Sequence, residues 1–437
     1  MRIVRRGLLL GCAAALFAGG AALANDTSFQ PGLTGDWNGT RTELKNQGWQ
    51  FQVKGTFEGA WNPSGGDHQS AAGAGELDFE ALADLGKLIG DDGGSIEANI
   101  TKRFGANLVD TAGLNSLMQV QEIYGRGDIR RLTQLSFAQD IFNKAINIEF
   151  GRMNPGSDFD VIPCNFENLT FCGSTPGNVD GDYWFNHPVS QWGARIKANV
   201  GDTVDLEVGL YQINPKNLAH GFSLDFSGGQ GELIPFELEW KPSLVAGLPG
   251  DYQIGGWHSS MQAADVFYDV NHDPLAVSGL PALMDHGRDG FFLDARQQIT
   301  GEAPPKDAPG GSYGKGLTLF AKYMQSDRRT SLMDRQFAVG ATYKGAIPSR
   351  ADDEIALAFG GTDINNRVAD GERLQNAAGL VPPKPVQHTE YVTELDYRAI
   401  VAQGAEITPN LQYIVDPGGV SARKDVFVLG LKAVLSL

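Results

Sequence analysis

The stretch Trp49-Gln50-Phe51-Gln52-Val53-Lys54-Gly55-Thr56-Phe57-Glu58-Gly59-Ala60-Trp61 decides the fold. Trp49, Phe51, Val53, Phe57 and Trp61 share one parity with Gly55 and Gly59, and Gln50, Gln52, Lys54, Thr56, Glu58 and Ala60 share the other. A period of two belongs to a β-strand with one apolar and one polar face. The run is about twice as long as the usual five or six residues of a strand in a soluble sandwich. It is long enough to cross a bilayer at a tilt, and a Trp at each end suits the two membrane–water boundaries. The parity predicts Phe57 against lipid and Glu58 against water.

The same alternation recurs along the chain. Leu77, Phe79, Ala81, Ala83 and Leu85 oppose Glu76, Asp78, Glu80 and Asp84, and Ile96, Ala98 and Ile100 oppose Glu97, Asn99, Thr101 and Arg103. Further strands are expected over 130–139, 145–151, 191–200 and 204–211, with Gly201-Asp202 turning the last pair as a hairpin. Others are expected over 232–241, 252–259, 288–299, 315–324, 335–344, 353–361, 388–400, 404–415 and 424–437. In 252–259 the parity is unclear, because Trp257 falls opposite Tyr252 and Ile254. The total is about 16 strands, an even number as expected for a bacterial barrel. Counted from Trp49, the odd connections include the long ones (106–129, 153–190, 212–231, 260–287, 362–387). The even connections include the short ones (140–144, 201–202, 402–403), although 300–314 departs from this rule. The fold class is therefore all-β, a transmembrane antiparallel β-barrel preceded by a short helix over 34–48, capped by Thr34 or Asp36 and ended by Gly48.

The N-terminus reads as an export signal. Arg2, Arg5 and Arg6 precede an apolar run from Gly7 to Gly20, and Ala22-Leu23-Ala24 is a small-residue cleavage site. Leu10-Gly11-Cys12 resembles a lipoprotein box only faintly, since the apolar run before Cys12 is too short. The expected organisation is a signal peptide over 1–24, an N-terminal periplasmic segment over 25–48 and the barrel over 49–437. Localisation follows: the outer membrane of a Gram-negative cell, after passage through the inner membrane. Past the signal, no stretch approaches the roughly 18 apolar residues of a spanning helix. The chain has 52 Asp and Glu against 35 Lys and Arg, a formal net charge of −17, which argues against nucleic acid as a partner. The excess of carboxylate over Arg and Lys on the inward-facing parity of the strands also predicts a lumen that favours cations over anions. Once Cys12 leaves with the signal, Cys164 and Cys172 remain, and a disulfide is the default in an exported protein.

Four stretches resemble the OprB-type carbohydrate-selective porins. They are Leu33-Thr34-Gly35-Asp36-Trp37-Asn38-Gly39-Thr40-Arg41-Thr42-Glu43-Leu44 with Gly48; Phe150-Gly151-Arg152-Met153-Asn154-Pro155-Gly156-Ser157-Asp158-Phe159-Asp160 followed by Phe166-Glu167-Asn168; Gln191-Trp192-Gly193-Ala194-Arg195-Ile196; and Ile407 to Gly419. They spread over most of the chain after the signal. The resemblance implies a sixteen-stranded barrel whose inward loops narrow a channel for facilitated diffusion of sugars. Leu437 departs from the aromatic residue that ends many outer-membrane barrels.

Sugar hydroxyls donate and accept, so carboxylates and guanidinium forks can hold them in pairs, and aromatic rings can lie against their apolar faces. The loop 153–188 is the longest, carries both cysteines, and contains Asp158, Asp160, Asp180, Asp182, Tyr183, Trp184 and Phe185. It is expected to fold inward as a constriction. Asp158, Asp160 and Trp184, with Arg152, Arg195, Glu97 and Arg103, are the expected substrate path. The loop 106–129, with Glu122, Tyr124 and Arg126, is the second place for it. Partners are then neutral sugars, outer-membrane lipid and lipopolysaccharide, and the assembly machinery.

No cofactor, metal or enzymatic reaction is expected. Glu237 and Glu239 stand about 6.6 Å apart on one face, within the range of an inverting glycosidase pair. Other such pairs around the wall make them part of a polar lining. Gly310-Gly311-Ser312-Tyr313-Gly314 fits a nucleophile elbow, but a strand follows where a helix is required. Asp269-Val270-Asn271-His272-Asp273 begins like a calcium loop, but Pro274 replaces the required Gly. Two other classes share part of the pattern. An exported soluble all-β sugar-binding protein or enzyme would have short strands over a dry core. A general, non-selective porin shares every periodicity above, and only the resemblance favours sugars.

Overall fold

A computed structural model describes residues 32–161, 164–304 and 313–437. The signal segment, the lipoprotein-like box, the start of the 25–48 segment and most of the elbow-like Gly310–Gly314 stretch lie outside the described residues. Within them the chain forms β1 Trp49–Ser64, β2 Ala71–Asp84, β3 Gly94–Gly105, β4 Ile129–Ile141, β5 Ile146–Met153, β6 Gln191–Val200, β7 Val204–Ile213 and β8 Gly231–Trp240. It continues as β9 Gly250–Asp269, β10 Ala282–Gln298, β11 Gly316–Gln325, β12 Met333–Lys344, β13 Glu354–Ile364, β14 Thr389–Ala402, β15 Ala405–Val415 and β16 Val426–Ser436. Each strand is antiparallel to its sequence neighbours, and β1 also pairs with β16, so the sheet closes on itself. Closure leaves no unpaired edge, which a backbone inside hydrocarbon requires.

The sixteen alternating segments of the sequence are the sixteen strands. In β1, Phe51, Phe57 and Trp61 face outward and are exposed, while Gln50, Thr56, Glu58 and Asn62 face inward and are buried. Glu58 corrects one expectation: it is 1% exposed and meets Lys432 at 3.1 Å, not open water.

The N-terminal helix is shorter than expected. α1 covers Thr40–Gln47 and ends at Gly48, whose φ of 103° suits glycine. Asp36 caps from upstream: its Oδ1 accepts from the backbone N and the hydroxyl of Thr42, each at 2.9 Å. The segment is clamped to the end of the barrel. Leu33 N donates to Ser436 O at 2.8 Å, Arg41 Nη2 donates to Leu437 O at 2.8 Å, and Leu437 N donates to Val53 O at 2.8 Å.

Two long connections contain more structure than the sequence suggested. β9 and β10 run on to Asp269 and back from Ala282, bulging where the register shifts between Ala282 and Met284 and between His286 and Arg288. The Asp269 carboxylate accepts from the backbone N of Asn271 and Asp273, so it closes its own turn. The connection 362–387 holds a helix over Asn366–Ala377, which Asn365 caps through Arg367 N.

The interior is not uniformly wet. Two apolar clusters lie inside the barrel where loops dock against the wall. One gathers Leu108, Leu114, Val120, Phe166 and Phe171 against Val392, Ile414, Val426 and Val428. The other gathers Phe159, Tyr183 and Trp184 against Tyr211, Leu233, Trp257, Phe292 and Met324. The unclear parity of 252–259 is thereby resolved: Trp257 points inward, into a dry core that loop residues complete.

Candidate functional site

The loop between β5 and β6 crosses the barrel. Arg152 closes its base, donating to Ser190 O at 2.5 Å and to Asn217 Oδ1 at 3.2 Å. Asp158 accepts from the Tyr211 hydroxyl at 2.7 Å. Asp160 accepts from Thr175 N, and its own N donates to Glu237 Oε2 at 2.8 Å. On the far wall, Glu394 accepts from the backbone N of Glu167 and Asn168 at 2.6 and 3.0 Å. Asp180 meets Arg288 at 3.1 Å. Between these staples, Cys164 and Cys172 are joined by a disulfide with Cα atoms 4.5 Å apart. Burial pushes the Asp158 carboxyl up to about 8, with Arg195 opposing, and pushes Asp180 up to about 6, with Arg288 opposing. Such anchors are desolvated by the wall they hold.

The loop between β3 and β4 also folds inward. Asn107 caps the short helix Leu108–Ala112. Gln121 bridges Leu108 N and the Glu58 carbonyl at 2.8 and 2.7 Å. Leu169 N donates to Gln119 O at 2.9 Å, which ties the two loops together.

Between them lies a cavity of about 250 Å³, bounded by Glu76, Arg103, Glu122, Arg126, Asn186 and His187, with the disulfide on its wall. Arg103 Nε bonds Glu76. His187 Nε2 lies 3.4 Å from Glu76 and 3.6 Å from Asp78. Burial opposes charging of His187, but Glu76 and Asp78 outweigh it and raise its pKa. Glu122 bonds Lys432 Nζ at 2.8 Å, and Arg126 Nη2 donates to Gly181 O at 2.7 Å.

The expected path residues therefore divide. Arg103, Glu122 and Arg126 come together around the cavity. Asp158 and Arg195 belong to a separate wall cluster, in which Arg195 meets Glu149 at 2.6 Å, Glu207 at 3.0 Å and Asp158 at 3.5 Å. Glu97 lies on the inward face near the other end of β3. Three expectations are corrected. Trp184 is fully buried against Trp257, Phe292 and Phe159, because an indole offered a dry core leaves the solute path. Asp160 is buried as a backbone staple, and Arg152 as the clasp of its loop. Glu76 and His187 were missed as cavity residues, although Glu76 stands in the acid ladder of β2 and His187 ends the inward loop. Glu237 and Glu239 serve different partners, Asp160 N and the Lys241 ammonium at 2.8 Å.

A closed sixteen-stranded barrel, apolar outside and narrowed by two inward loops to a polar passage, defines a porin, a diffusion channel. The chain belongs to the carbohydrate-selective porin, OprB family, whose model matches residues 68–437. It is 36% identical to Porin B of Pseudomonas aeruginosa over 97% of this chain and 96% of that protein. It is 31% identical to the putative porin QuiX of Acinetobacter baylyi over 97% of each. The high-pH structure of Pseudomonas putida OprB superposes with a TM-score of 0.88 at 38% identity, covering 93% of this chain and 99% of that one. The protein is an outer-membrane channel for carbohydrates.

Proposed function

We propose that the cavity between the two inward loops is the sugar-selective constriction, and that Arg103, Glu122, Arg126, Glu76 and His187 make the contacts that replace a sugar's water as it passes. The observation that carries this reading is the convergence, on one cavity of about 250 Å³, of paired acids and bases from both loops and the wall. Each charge already partnered offers hydroxyls a second, weaker interaction, and weak sites let a solute leave. The Arg195 cluster and Glu97 line the next stretch of the route.

The long connections face outside the cell and the N-terminal segment faces the periplasm, after removal of the signal over 1–24. Neutral sugars are the transported solutes. Lipid and lipopolysaccharide contact the outer face, the outer-membrane assembly machinery inserts the barrel, and no chemical step is catalysed. Conductance in a planar bilayer tests the constriction. Glucose should block the ion current, and Glu122→Gln with Arg103→Gln should weaken that block and raise small-ion conductance while the barrel stays folded. Unchanged block in that variant would place the constriction elsewhere.

A further inference from the structure

The outer wall has one irregular joint. β5 has 8 residues, the fewest of the sixteen strands. Its register with β4 ends at Leu135 and Arg152, while β4 runs on beside β3 to Ile129. The far end of β4 therefore lacks its second neighbour, and the connection between β7 and β8 takes that place. Leu132 N donates to Gly221 O at 2.8 Å, and Arg131 donates to the carbonyls of Asn217 and Leu218, both at 2.5 Å. A Cβ on Gly221 would come 2.3 Å from Arg130 O, so glycine permits this approach.

The connection then lies over the outer face of β6 and β7. Phe226 stacks on Trp192 with ring centroids 4.3 Å apart, Trp192 Nε1 donates to Leu224 O at 3.3 Å, and Gln212 Nε2 donates to Phe226 O at 2.7 Å. Phe222, Leu224 and Phe226 are 54%, 50% and 62% exposed, an apolar strip of alternate residues. Contiguous apolar exposure marks a surface that something apolar covers. Cations stand beside it. Lys102 and Arg130 are register partners on the outer face, one step beyond Ile100 and Leu132. Lys216 and His220 share a turn, with His220 N donating to Lys216 O at 2.9 Å, and Gly221 joins that turn to β4. Asp128 holds Lys102. Arg130 and Lys216 are exposed, and among the described residues no carboxylate lies within 4.0 Å of either. Asp225, on which Lys216 acts from further away, accepts from Ser227 N and Oγ at 2.8 and 2.5 Å.

We propose that this patch is a lipopolysaccharide site, with a lipid A phosphate on Arg130 and Lys216 and acyl chains along Phe222, Leu224 and Phe226. A guanidinium fork and an ammonium suit a phosphate, and the strip beside them suits hydrocarbon. Arg130 is the second residue of β4, about the height of the apolar band from the turn that follows Ile141, which is headgroup depth. The lipid covers the joint where a connection stands in for a strand. This rests on the long connections facing outside the cell, the side on which this lipid lies, and is independent of the constriction.

The test is binding of bisphosphorylated, hexa-acylated lipid A to the purified barrel in detergent, read by native mass spectrometry against phosphatidylglycerol. Lipid A should bind about tenfold tighter or better, and should stay bound in EDTA, because bases and not a bridging metal hold it. Arg130→Gln with Lys216→Gln should weaken it about tenfold or more, the worth of a charge-assisted bond. Phe222→Ser with Phe226→Ser should weaken it too. Lys424→Gln, which removes a charge from the connection between β15 and β16, should not. Heat-modifiable migration on a gel confirms that each barrel is closed. Equal affinity for phosphatidylglycerol, loss of binding in EDTA, or unchanged binding in the Arg130 and Lys216 variant overturns the proposal. Unchanged binding in the Phe222 and Phe226 variant reduces the patch to an anion site and overturns the lipid. On intact cells, Ser227→Cys should react with a membrane-impermeant maleimide, since the native cysteines are joined. No reaction overturns the orientation and the proposal together, whereas reaction without lipid A binding overturns the proposal alone.

Discussion

Phe57 and Glu58 are adjacent residues in different surroundings. Phe57 is exposed on the outer face, edge-on to Phe104. Phe57→Arg should cost about 2–4 kcal/mol at mid-bilayer depth, whereas Phe57→Leu should cost less than about 1.5 kcal/mol. Unfolding from lipid vesicles measures both, and equal costs would contradict a lipid-facing position. Glu58 was legible as an inward residue but not as a partner of Lys432, because the pair joins the first and last strands. Glu58→Gln should cost about 1–3 kcal/mol as a lost buried charge contact. Most of that cost should vanish in a Lys432→Met background, and a double-mutant cycle showing no coupling would count against the pair. The same distance along the chain hid the cavity. Glu76 and His187 carry no local signal that joins them, whereas Arg103, Glu122 and Arg126, which line the same cavity, each stand out in their own segments. Trp184 was misread because an aromatic side chain in a loop fits a sugar face and a dry core equally well until its neighbours are known.

Strands were readable one by one because alternation is a local property and a one-residue slip exchanges the two faces. The segment 252–259 was the exception, and its Trp257 shows why: where a loop supplies a second core, an inward residue can be as apolar as an outward one. The helix Asn366–Ala377 escaped because its turns carry mostly polar residues. The inward loop between β5 and β6 was legible from its length, acids and cysteines, although its staples to Glu237, Glu394 and Arg288 were not. Its disulfide closes a short loop on the cavity wall. Cys164→Ser with Cys172→Ser should remove about 2–3 kcal/mol of ordering from that segment. The barrel should remain closed, sugar block should weaken, and open-channel noise should rise. Identical block and noise would show that the disulfide does not shape the passage. Thiol titration of the unreduced parent should find none free.

At the scale of the molecule, the segment before β1 is fastened to the residues that close β16. Arg41 stacks on Trp37 with its guanidinium carbon 4.5 Å from the ring centroid and bonds the carbonyl of Leu437. This contact secures Leu437 just past β16. Arg41→Ala should lower stability by about 1–3 kcal/mol, the worth of a hydrogen bond from a charged donor. The loss should show as a lower temperature of conversion from the compact to the extended form on a gel, and no change in that temperature would argue that the clamp is incidental. The two dry cores inside the barrel have a different consequence. In a simple porin, diameter grows with the number of strands, and the bore follows. Here the loops occupy the lumen and are fastened to opposite walls, so the passage is a resistor in series with a much wider tube. On the proposed reading its gauge is set by loop side chains together with Glu76 and Arg103 of the wall, so exchanging a few of them would retune throughput and preference without adding, removing or re-registering a strand.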